Sequence, residues 1–279
     1  MSRIERALEK ANMVRDREEP VLPEQSVGQA DITDVFVTDN TELPKNPYLV
    51  TLNEPDSPIA EEYKKLKSMV VKMTKQGKFQ NTLMVTSTVA EEGKSITAMN
   101  LAITLACEYD HTVLLVDADL RRPSLSHLLG IETSPGLSDC LLNGLDIKDA
   151  LVKTGIGKMV FLPSGSHVSD PVELLLSRRM QELLSDIKHR YADRYVIIDT
   201  PPVLPFAEVH SLASGVDGLI YVVREGLAPL NGIKEALGML KGCNVLGFVF
   251  NGVELDMMDD YHRYYNYRRY YSRGGNGKK

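Results

Sequence analysis

The sequence has 279 residues, of which 43% are hydrophobic, and this is enough for one sizeable α/β domain with a buried core and tails. Its three cysteines, Cys107, Cys140 and Cys243, are scattered, which argues against a disulfide framework or a zinc site. The net charge of −6 argues against a nucleic-acid binder. We find no signal peptide and no apolar run near the roughly 18 residues of a membrane span. We therefore expect a cytoplasmic protein that reaches a membrane only through a partner.

The N-terminal part predicts a short helix and then a linker. Within residues 1–17, four apolar residues follow the spacing of an amphipathic helix: Ile4, Ala7, Leu8 and Ala11. This helix could dock on a partner or be a frayed end, and both interpretations stay open. Residues 18–47 carry four prolines among acidic and polar residues, which is typical of a flexible linker with little core of its own.

A second helix signal opens at Ser57 and Pro58. Serine is a favoured N-cap, and proline fits the first helical position. Apolar residues at helical spacing then form one stripe, which comprises Ile59, Tyr63, Leu66, Val70 and Met73. We therefore expect a helix that packs this stripe on the domain.

From there the chain alternates strands and helices. The predicted strands are Thr82–Ser87, Thr112–Asp117, Met159–Pro163, Tyr195–Asp199, Leu219–Val223 and Val245–Phe250. The predicted helices include Lys94–Glu108, Val172–Tyr191 and Leu230–Leu240. This alternation is typical of a mostly parallel sheet with helices on both faces. We predict a three-layer α/β domain at residues 48–256, with a flexible N-terminal segment and a C-terminal tail at residues 257–279.

Half of a phosphate-binding loop lies between the first of these strands and its helix. The general pattern is G-x-x-x-x-G-K-[ST]. Its second half is present as Gly93, Lys94 and Ser95, whereas Thr88 occupies the position of the first glycine. Amides at the helix start would receive phosphate oxygens, Lys94 would neutralise their charge and Ser95 would ligate Mg²⁺. Alone, this tripeptide is more typical of an ordinary turn into a helix than of a phosphate-binding loop.

Acids at two strand ends strengthen the prediction of a nucleotide site. Asp117 and Asp119 follow one apolar strand, and Asp199 ends another. Ligands of open parallel sheets bind at the carboxyl ends of the strands. A single acid there is usually a turn or cap residue, but three acids beside a Lys–Ser loop predict a magnesium and phosphate site.

Together these motifs resemble the bacterial tyrosine kinases of exopolysaccharide synthesis, which are relatives of the MinD/ParA-type P-loop ATPases. The resemblance covers about residues 57–271 and rests on the loop with Asn100-Leu101-Ala102 after it, on LLVDADLRRP at 114–123, on VIIDTPP at 196–202 and on a C-terminal tyrosine cluster. The N-terminal SRIERALEKA at 2–11 resembles the exosortase-associated subgroup, whose members act with a separate transmembrane chain-length-determinant protein. The resemblance implies ATP and Mg²⁺ as cofactors. It implies two kinds of partner: the chain-length-determinant protein, and further copies of this chain, which could form a ring.

It also implies catalytic and metal-binding roles. Lys94 contacts the phosphates and stabilises the charge that develops on transfer. Ser95 and Asp117 hold Mg²⁺, and Asp199 orients metal-bound water or supports Ser95. Asp117 or Asp119 accepts the proton of the attacking tyrosine hydroxyl.

Nucleotide contacts are implied at Glu92, Gly93, Lys94, Ser95, Ile96, Asp199 and Asn251. Asn251 follows the last strand, where this superfamily often contacts adenine. Asn251-Gly252 is also a good turn signal, so a purely structural role stays open for that residue.

Two departures from the family pattern bear on function. Glu91 occupies a loop position where relatives have glycine, so we expect weaker nucleotide binding or slower turnover than in Glu91→Gly. In the helix after Ser57, relatives use Glu-x-x-Arg-x-x-Arg for ring assembly. Here Glu61, Lys64 and Lys67 keep the charge without the bidentate fork of arginine, and the pattern also fits an ordinary exposed face.

Six of the twelve tyrosines lie in the last 19 residues, and no acidic residue follows Asp260. These tyrosines are Tyr261, Tyr264, Tyr265, Tyr267, Tyr270 and Tyr271. A basic aromatic tail would also suit nucleic acid or anionic lipid, and a bland disordered end is a further alternative. Beside a kinase site, the cluster predicts phosphoacceptors of a protein-tyrosine autokinase that acts between subunits. The alternative function is a ParA/MinD-like ATPase switch whose tail binds DNA or membrane.

Overall fold

The computed structural model describes residues 44–108, 111–131, 135–190 and 194–253. The predicted helix within 1–17, most of the linker and the tyrosine-rich tail at 257–279 lie outside the described residues. Across the ranges that are described, no helix is both long enough and apolar enough to cross a membrane.

The strands are β1 (Thr82–Ser87), β2 (Thr112–Asp117), β3 (Val152–Lys153), β4 (Met159–Leu162), β5 (Arg194–Asp199), β6 (Gly218–Arg224) and β7 (Val245–Asn251). The helices are α1 (Val50–Asn53), α2 (Pro58–Thr74), α3 (Lys94–Ala106), α4 (Leu125–Leu129), α5 (Leu137–Asn143), α6 (Ile147–Ala150), α7 (Pro171–Leu176), α8 (Arg178–Arg190), α9 (Glu208–Gly215) and α10 (Leu230–Met239).

The strands form one sheet in the order β3-β4-β2-β5-β1-β6-β7. Every pairing is parallel except that of the short edge strand β3 with β4. One apolar core lies on the α3 face and includes Leu101, Leu115 and Ile197, and a second core on the other face includes Leu184 and Ile198. Both faces are therefore covered, which confirms the predicted three-layer, mostly parallel α/β fold. The order also brings the carboxyl ends of β1, β2 and β5 together.

Helix α2 begins where the sequence predicts. The Ser57 hydroxyl accepts a hydrogen bond from the Ala60 amide at 3.1 Å, as expected of an N-cap. Val70 is buried, but Ile59 is 51% exposed and the neighbouring Ala60 is buried instead. The expectation that Ile59 packs in the stripe is therefore wrong, because the first turn presents it to the cleft described below.

The two lysines of α2 already have partners in this chain. Lys64 donates to the Pro55 carbonyl at 2.8 Å and lies 3.5 Å from the Glu61 carboxylate. Lys67 forms an ion pair with Glu108, just beyond α3. Self-assembly through this face stays a prediction, and a neighbouring subunit would have to compete with these contacts.

The single helix predicted over Val172–Tyr191 is wrong. The chain forms α7 and α8, separated by Ser177 in an extended conformation with ψ 151°. The Ser177 hydroxyl accepts a hydrogen bond from the Met180 amide at 3.2 Å, so it caps the second helix. The competing local bond of a serine side chain explains the interruption.

Candidate nucleotide site

The loop between β1 and α3 is held by its own side chains. Thr88, at the position of the missing first glycine, is buried, and its hydroxyl lies 2.9 Å from the Tyr221 hydroxyl. The buried Glu92 carboxylate accepts a hydrogen bond from the Val89 amide at 2.8 Å. Gly93 then adopts φ 89° just before α3 begins. The half-pattern of the sequence therefore still forms a turned loop at a helix N-terminus.

Lys94 projects from that helix start among three acids. Its Nζ lies 2.7 Å from Asp119 Oδ2, 3.8 Å from Asp199 Oδ1 and 3.2 Å from Ser95 Oγ. Burial alone would lower the pKa of Lys94, but the nearby carboxylates outweigh it and raise that pKa above its usual value. The side chain is therefore a firmly protonated ammonium that holds the acids together.

Asp117 and Asp199 face each other across β2 and β5, where they are register partners. Both are fully buried. Burial raises the pKa of Asp199 to about 6, against the attraction of Lys94. Burial and the charge of Asp199 raise the pKa of Asp117 well above its usual value. Two neighbouring carboxyls are therefore costly to ionise without a cation beside them.

Carboxylate oxygens of this pair fit a bound cation. Asp117 Oδ2 accepts a hydrogen bond from the Leu125 amide at 3.2 Å, and Asp117 Oδ1 is buried without a hydrogen-bond partner in the described part of the chain. The buried Asp199 carboxylate has Lys94 Nζ at 3.8 Å and the Ser95 hydroxyl beside it. No group of three or more His, Cys, Asp or Glu side chains in that part could hold a metal. The two carboxylates of Asp117 and Asp199 match the one or two that Mg²⁺ usually takes together with phosphate oxygens and water. Ser95 could supply a further oxygen.

A cleft of about 1100 Å³ opens above these residues. Its lining includes the predicted residues Gly93, Lys94, Ser95, Ile96, Asp119 and Asn251. Asp117, Asp199 and the Glu92 side chain do not line it, because they are buried beneath. The fold thus brings all predicted site residues to one region, except the six tail tyrosines, which lie outside the described residues.

Several lining residues were missed by the sequence reasoning. Arg121 and Arg122 follow Asp119 within the motif quoted above, so the motif itself was a usable signal. Arg121 Nε donates to a Glu208 carboxylate oxygen at 2.9 Å, and its guanidinium lies 4.3 Å from the centre of the Phe206 ring. These contacts hold a cation at the wall of the cleft, where it suits an anionic ligand.

Tyr48, Tyr63, His127 and Arg224 also line the cleft. They come from distant segments, and no local pattern of the sequence marked them. Arg224, at the end of β6, adds a further cation to the wall. Its guanidinium donates to the Glu91 carbonyl at 3.2 Å.

The structure also locates Glu91 and Asn251, whose roles the sequence leaves open. Glu91 is exposed and adopts φ 68°, the one positive value at a non-glycine residue in the described ranges. That left-handed conformation is the one that glycine adopts without strain. Asn251 Nδ2 donates to the Glu92 carbonyl at 2.9 Å. Contact of Asn251 with adenine stays a prediction, but its amide group is already engaged with the loop.

Comparisons with known proteins agree on one family. A family model described as an AAA domain matches residues 84–244. The chain is 31% identical over 218 residues to Tyrosine-protein kinase YwqD of Bacillus subtilis, covering 77% of this chain and 90% of that protein. The crystal structure of the chimerical protein CapA2B2 superposes with a TM-score of 0.67 and 28% identity over 76% of this chain and 92% of the other. The MinD protein of Pyrococcus horikoshii, solved with Mg-ADP, gives a TM-score of 0.53 at 25% identity, over 65% of this chain and 76% of MinD.

Proposed function

The chain belongs to the bacterial tyrosine-protein kinases, in the AAA-domain family, and we propose that it is an autokinase whose substrates are tyrosines of its own C-terminal tail. The phosphoryl donor in this proposal is Mg-ATP. The observation that supports this proposal most is the position of the Lys94 ammonium. It lies between Asp119 and Asp199 at the start of α3, and Lys94 lines the cleft. The six tail tyrosines supply acceptors in the same chain.

The charges at the site favour a nucleotide that arrives with its cation. Without a ligand, one ammonium faces the carboxyls of Asp117, Asp119 and Asp199. These carboxyl groups at the floor of the cleft would disfavour phosphate oxygens that arrive without a cation, whereas Arg121 and Arg224 at the wall would attract them. Ser95, Asp117 and Asp199 would hold Mg²⁺, which would offset the charge of the phosphate oxygens during transfer. Lys94 would then turn from Asp119 towards the phosphates and stabilise the charge on the transferred group.

Asp119 is placed best to receive the proton of the tyrosine hydroxyl. It lines the cleft, whereas Asp117 lies beneath it. Its Oδ1 accepts a hydrogen bond from the Arg122 amide at 3.1 Å, which orients the carboxylate. Once Lys94 has turned away, Oδ2 is free to accept the proton while the phenolic oxygen bonds to the γ-phosphorus. The bond from that phosphorus to the oxygen it shares with the β-phosphate breaks, which releases ADP.

Mass spectrometry of purified protein incubated with Mg-ATP tests the reaction. We expect phosphotyrosine within residues 261–271 of the intact protein and none in Lys94→Met. Lys78→Met, which changes an exposed lysine before β1, is the matched control and should be phosphorylated normally. ATP hydrolysis without phosphotyrosine would instead indicate the MinD-like ATPase switch.

We further propose that the tail of one subunit enters the cleft of another. A mixture of full-length Lys94→Met with an intact-site protein that ends at residue 260 tests this. Phosphate on the Lys94→Met tails would indicate transfer between subunits. Unmodified Lys94→Met tails, together with normal autophosphorylation of the full-length wild-type protein, would indicate transfer within one chain.

The cellular role that we propose is regulation of exopolysaccharide polymerisation or export. The protein would act in the cytoplasm, at the inner membrane, with a transmembrane chain-length-determinant partner. The resemblance of residues 2–11 to exosortase-associated kinases supports this. Co-purification of that partner with the full chain, lost on deletion of residues 1–17, is the expected result.

A further inference from the structure

Two side chains from the ends of β6 and β7 hold the carbonyl groups of the phosphate-binding loop. Arg224 donates from its guanidinium to the Glu91 carbonyl at 3.2 Å. Asn251 donates from its amide to the Glu92 carbonyl at 2.9 Å. We propose that Arg224 and Asn251 are positioning residues that aim the loop amides at the nucleotide phosphates. This inference rests on the proposed nucleotide site and assigns Asn251 a role that does not depend on the base.

The geometry of the peptide bond gives the reason. In a planar trans peptide the carbonyl and the following amide point in opposite directions. The Glu91 carbonyl shares its peptide with the Glu92 amide, and the Glu92 carbonyl shares its peptide with the Gly93 amide. Donors that hold both carbonyls on one side therefore turn both amides to the other side.

These two amides make no hydrogen bond of normal geometry with another backbone group in the described part of the chain. Residues 90–91 form a turn in which the Glu92 amide faces the Val89 carbonyl, and a phosphate oxygen would compete with that contact. Consecutive backbone amides that point the same way at a helix N-terminus are the usual means of binding phosphate. The two carbonyl contacts therefore fix the orientation of the Glu92 and Gly93 amides.

Further contacts of Glu92 and Gly93 also hold the loop in this conformation. The buried Glu92 carboxylate receives the Val89 amide at 2.8 Å on one oxygen and the Arg224 amide at 3.4 Å on the other. A Cβ atom at Gly93 would lie 2.1 Å from Asn251 Nδ2, so the asparagine packs directly on the glycine backbone. The loop is therefore joined to the β6–β7 edge through side chain and main chain alike.

A base contact and a positioning role predict different binding. We would measure equilibrium dissociation constants for Mg-ATP, Mg-GTP and Mg-tripolyphosphate with wild type, Asn251→Ala and Arg224→Gln. Loss of one hydrogen bond should weaken all three ligands by about fivefold, including tripolyphosphate, which has no base. Arg224→Gln keeps the test available if Asn251→Ala fails to fold.

Asn244→Ala is the matched control. Asn244 precedes β7 at its opposite end and also donates to a carbonyl, that of Asp217, at 2.7 Å. Binding by this variant should equal that of wild type, because the contacts it loses, to the Asp217 carbonyl and the Gln80 side chain, lie far from the loop. Asn251→Ala and Arg224→Gln variants that bind tripolyphosphate as wild type does would overturn the positioning role, whether or not ATP binding falls. A wild-type protein that binds none of the three ligands would overturn the nucleotide site as well.

Discussion

Asp199 lowers the stability of the ligand-free protein at the site where it would hold a cation. It is fully buried, its pKa is raised to about 6 by that burial, and the Lys94 ammonium lies 3.8 Å from its carboxylate. Ionised at neutral pH, it destabilises the ligand-free protein, and a bound cation would remove that penalty. Functional sites often retain such local instability.

We predict that Asp199→Asn stabilises the nucleotide-free protein at pH 8 while it weakens Mg-nucleotide binding. The pKa of Asp199 is about 6 in the folded protein, and an unfolded aspartate titrates near 3.9. The contribution of Asp199 to the stability of the folded protein is therefore complete below about pH 4, where the carboxyl is protonated in both states. It is lost as the pH rises through 6, where the folded protein has to ionise the buried carboxyl. The gain in the free energy of unfolding should be on the order of 1–3 kcal/mol at pH 8 and much smaller at pH 4.5. Urea denaturation at both pH values measures it.

Asp56→Asn, which changes an exposed aspartate between α1 and α2, serves as the control and should change neither quantity. An equal gain for Asp199→Asn at both pH values would contradict the proposed titration.

We predict that Glu91→Gly binds Mg-ATP more tightly or turns over faster than wild type. With φ 68°, the residue adopts a conformation that costs an L-amino acid roughly 1–2 kcal/mol. Glu91 also lines the cleft, where its carboxylate would repel phosphate. Glu91→Gln removes the charge but keeps the side chain, so it should recover only the electrostatic part. Calorimetric titration with ATP and rates of autophosphorylation measure the effect, and unchanged values in Glu91→Gly would contradict it.

At the scale of elements, the strands and their acids were predictable from the sequence. Strands buried on both faces appear as continuous apolar runs, so β1, β2 and β5 were located, with acids at the ends of β2 and β5. The two-residue edge strand β3 was not predicted. The sequence could not indicate that Ser177 divides a helix or that Asn251 reaches the loop. The first depends on a serine side chain that caps the second helix and so competes with one continuous helix. The second depends on tertiary contact between segments that are distant in the chain.

Asn100 illustrates what only the structure explains. It is fully buried on α3, and its side-chain amide donates to the Tyr48 carbonyl at 2.8 Å. Its side-chain oxygen accepts from the amide and the hydroxyl of Thr51, at 3.1 and 2.9 Å. One side chain therefore fastens the segment around α1 to the helix that begins at the phosphate-binding loop. The domain start predicted at residue 48 stays a prediction, and it falls on this contact.

We predict that Asn100→Leu lowers the free energy of unfolding by about 1–3 kcal/mol, because it removes the partner of the half-buried Thr51 amide and hydroxyl and of the Tyr48 carbonyl. Thr51→Val removes only one donor and should cost about 1 kcal/mol or less. Chemical denaturation of both variants compares the two losses. Equal losses would indicate that Asn100 does not fasten the segment.

At the scale of the whole molecule, charge is distributed unevenly. Residues 261–279 contain six basic and no acidic residues, so their formal charge is +6. With a total of −6, the remaining residues carry −12. An unmodified tail is therefore attracted to the acidic remainder of a neighbouring copy, and the attraction weakens as salt shortens its range.

Phosphorylation of the tail should reverse that attraction. Each phosphotyrosine adds roughly −1.5 to −2 charges, so about four of them cancel or exceed the six basic residues. We predict that unmodified protein self-associates in 50 mM salt, and that prolonged incubation with Mg-ATP or transfer to 300 mM salt dissociates it, as sedimentation velocity would measure. A chain with all six tail tyrosines changed to phenylalanine keeps the basic charge, so it should stay associated after the same incubation and still dissociate in 300 mM salt. If Mg-ATP dissociated that variant as well, nucleotide binding rather than tail charge would control assembly.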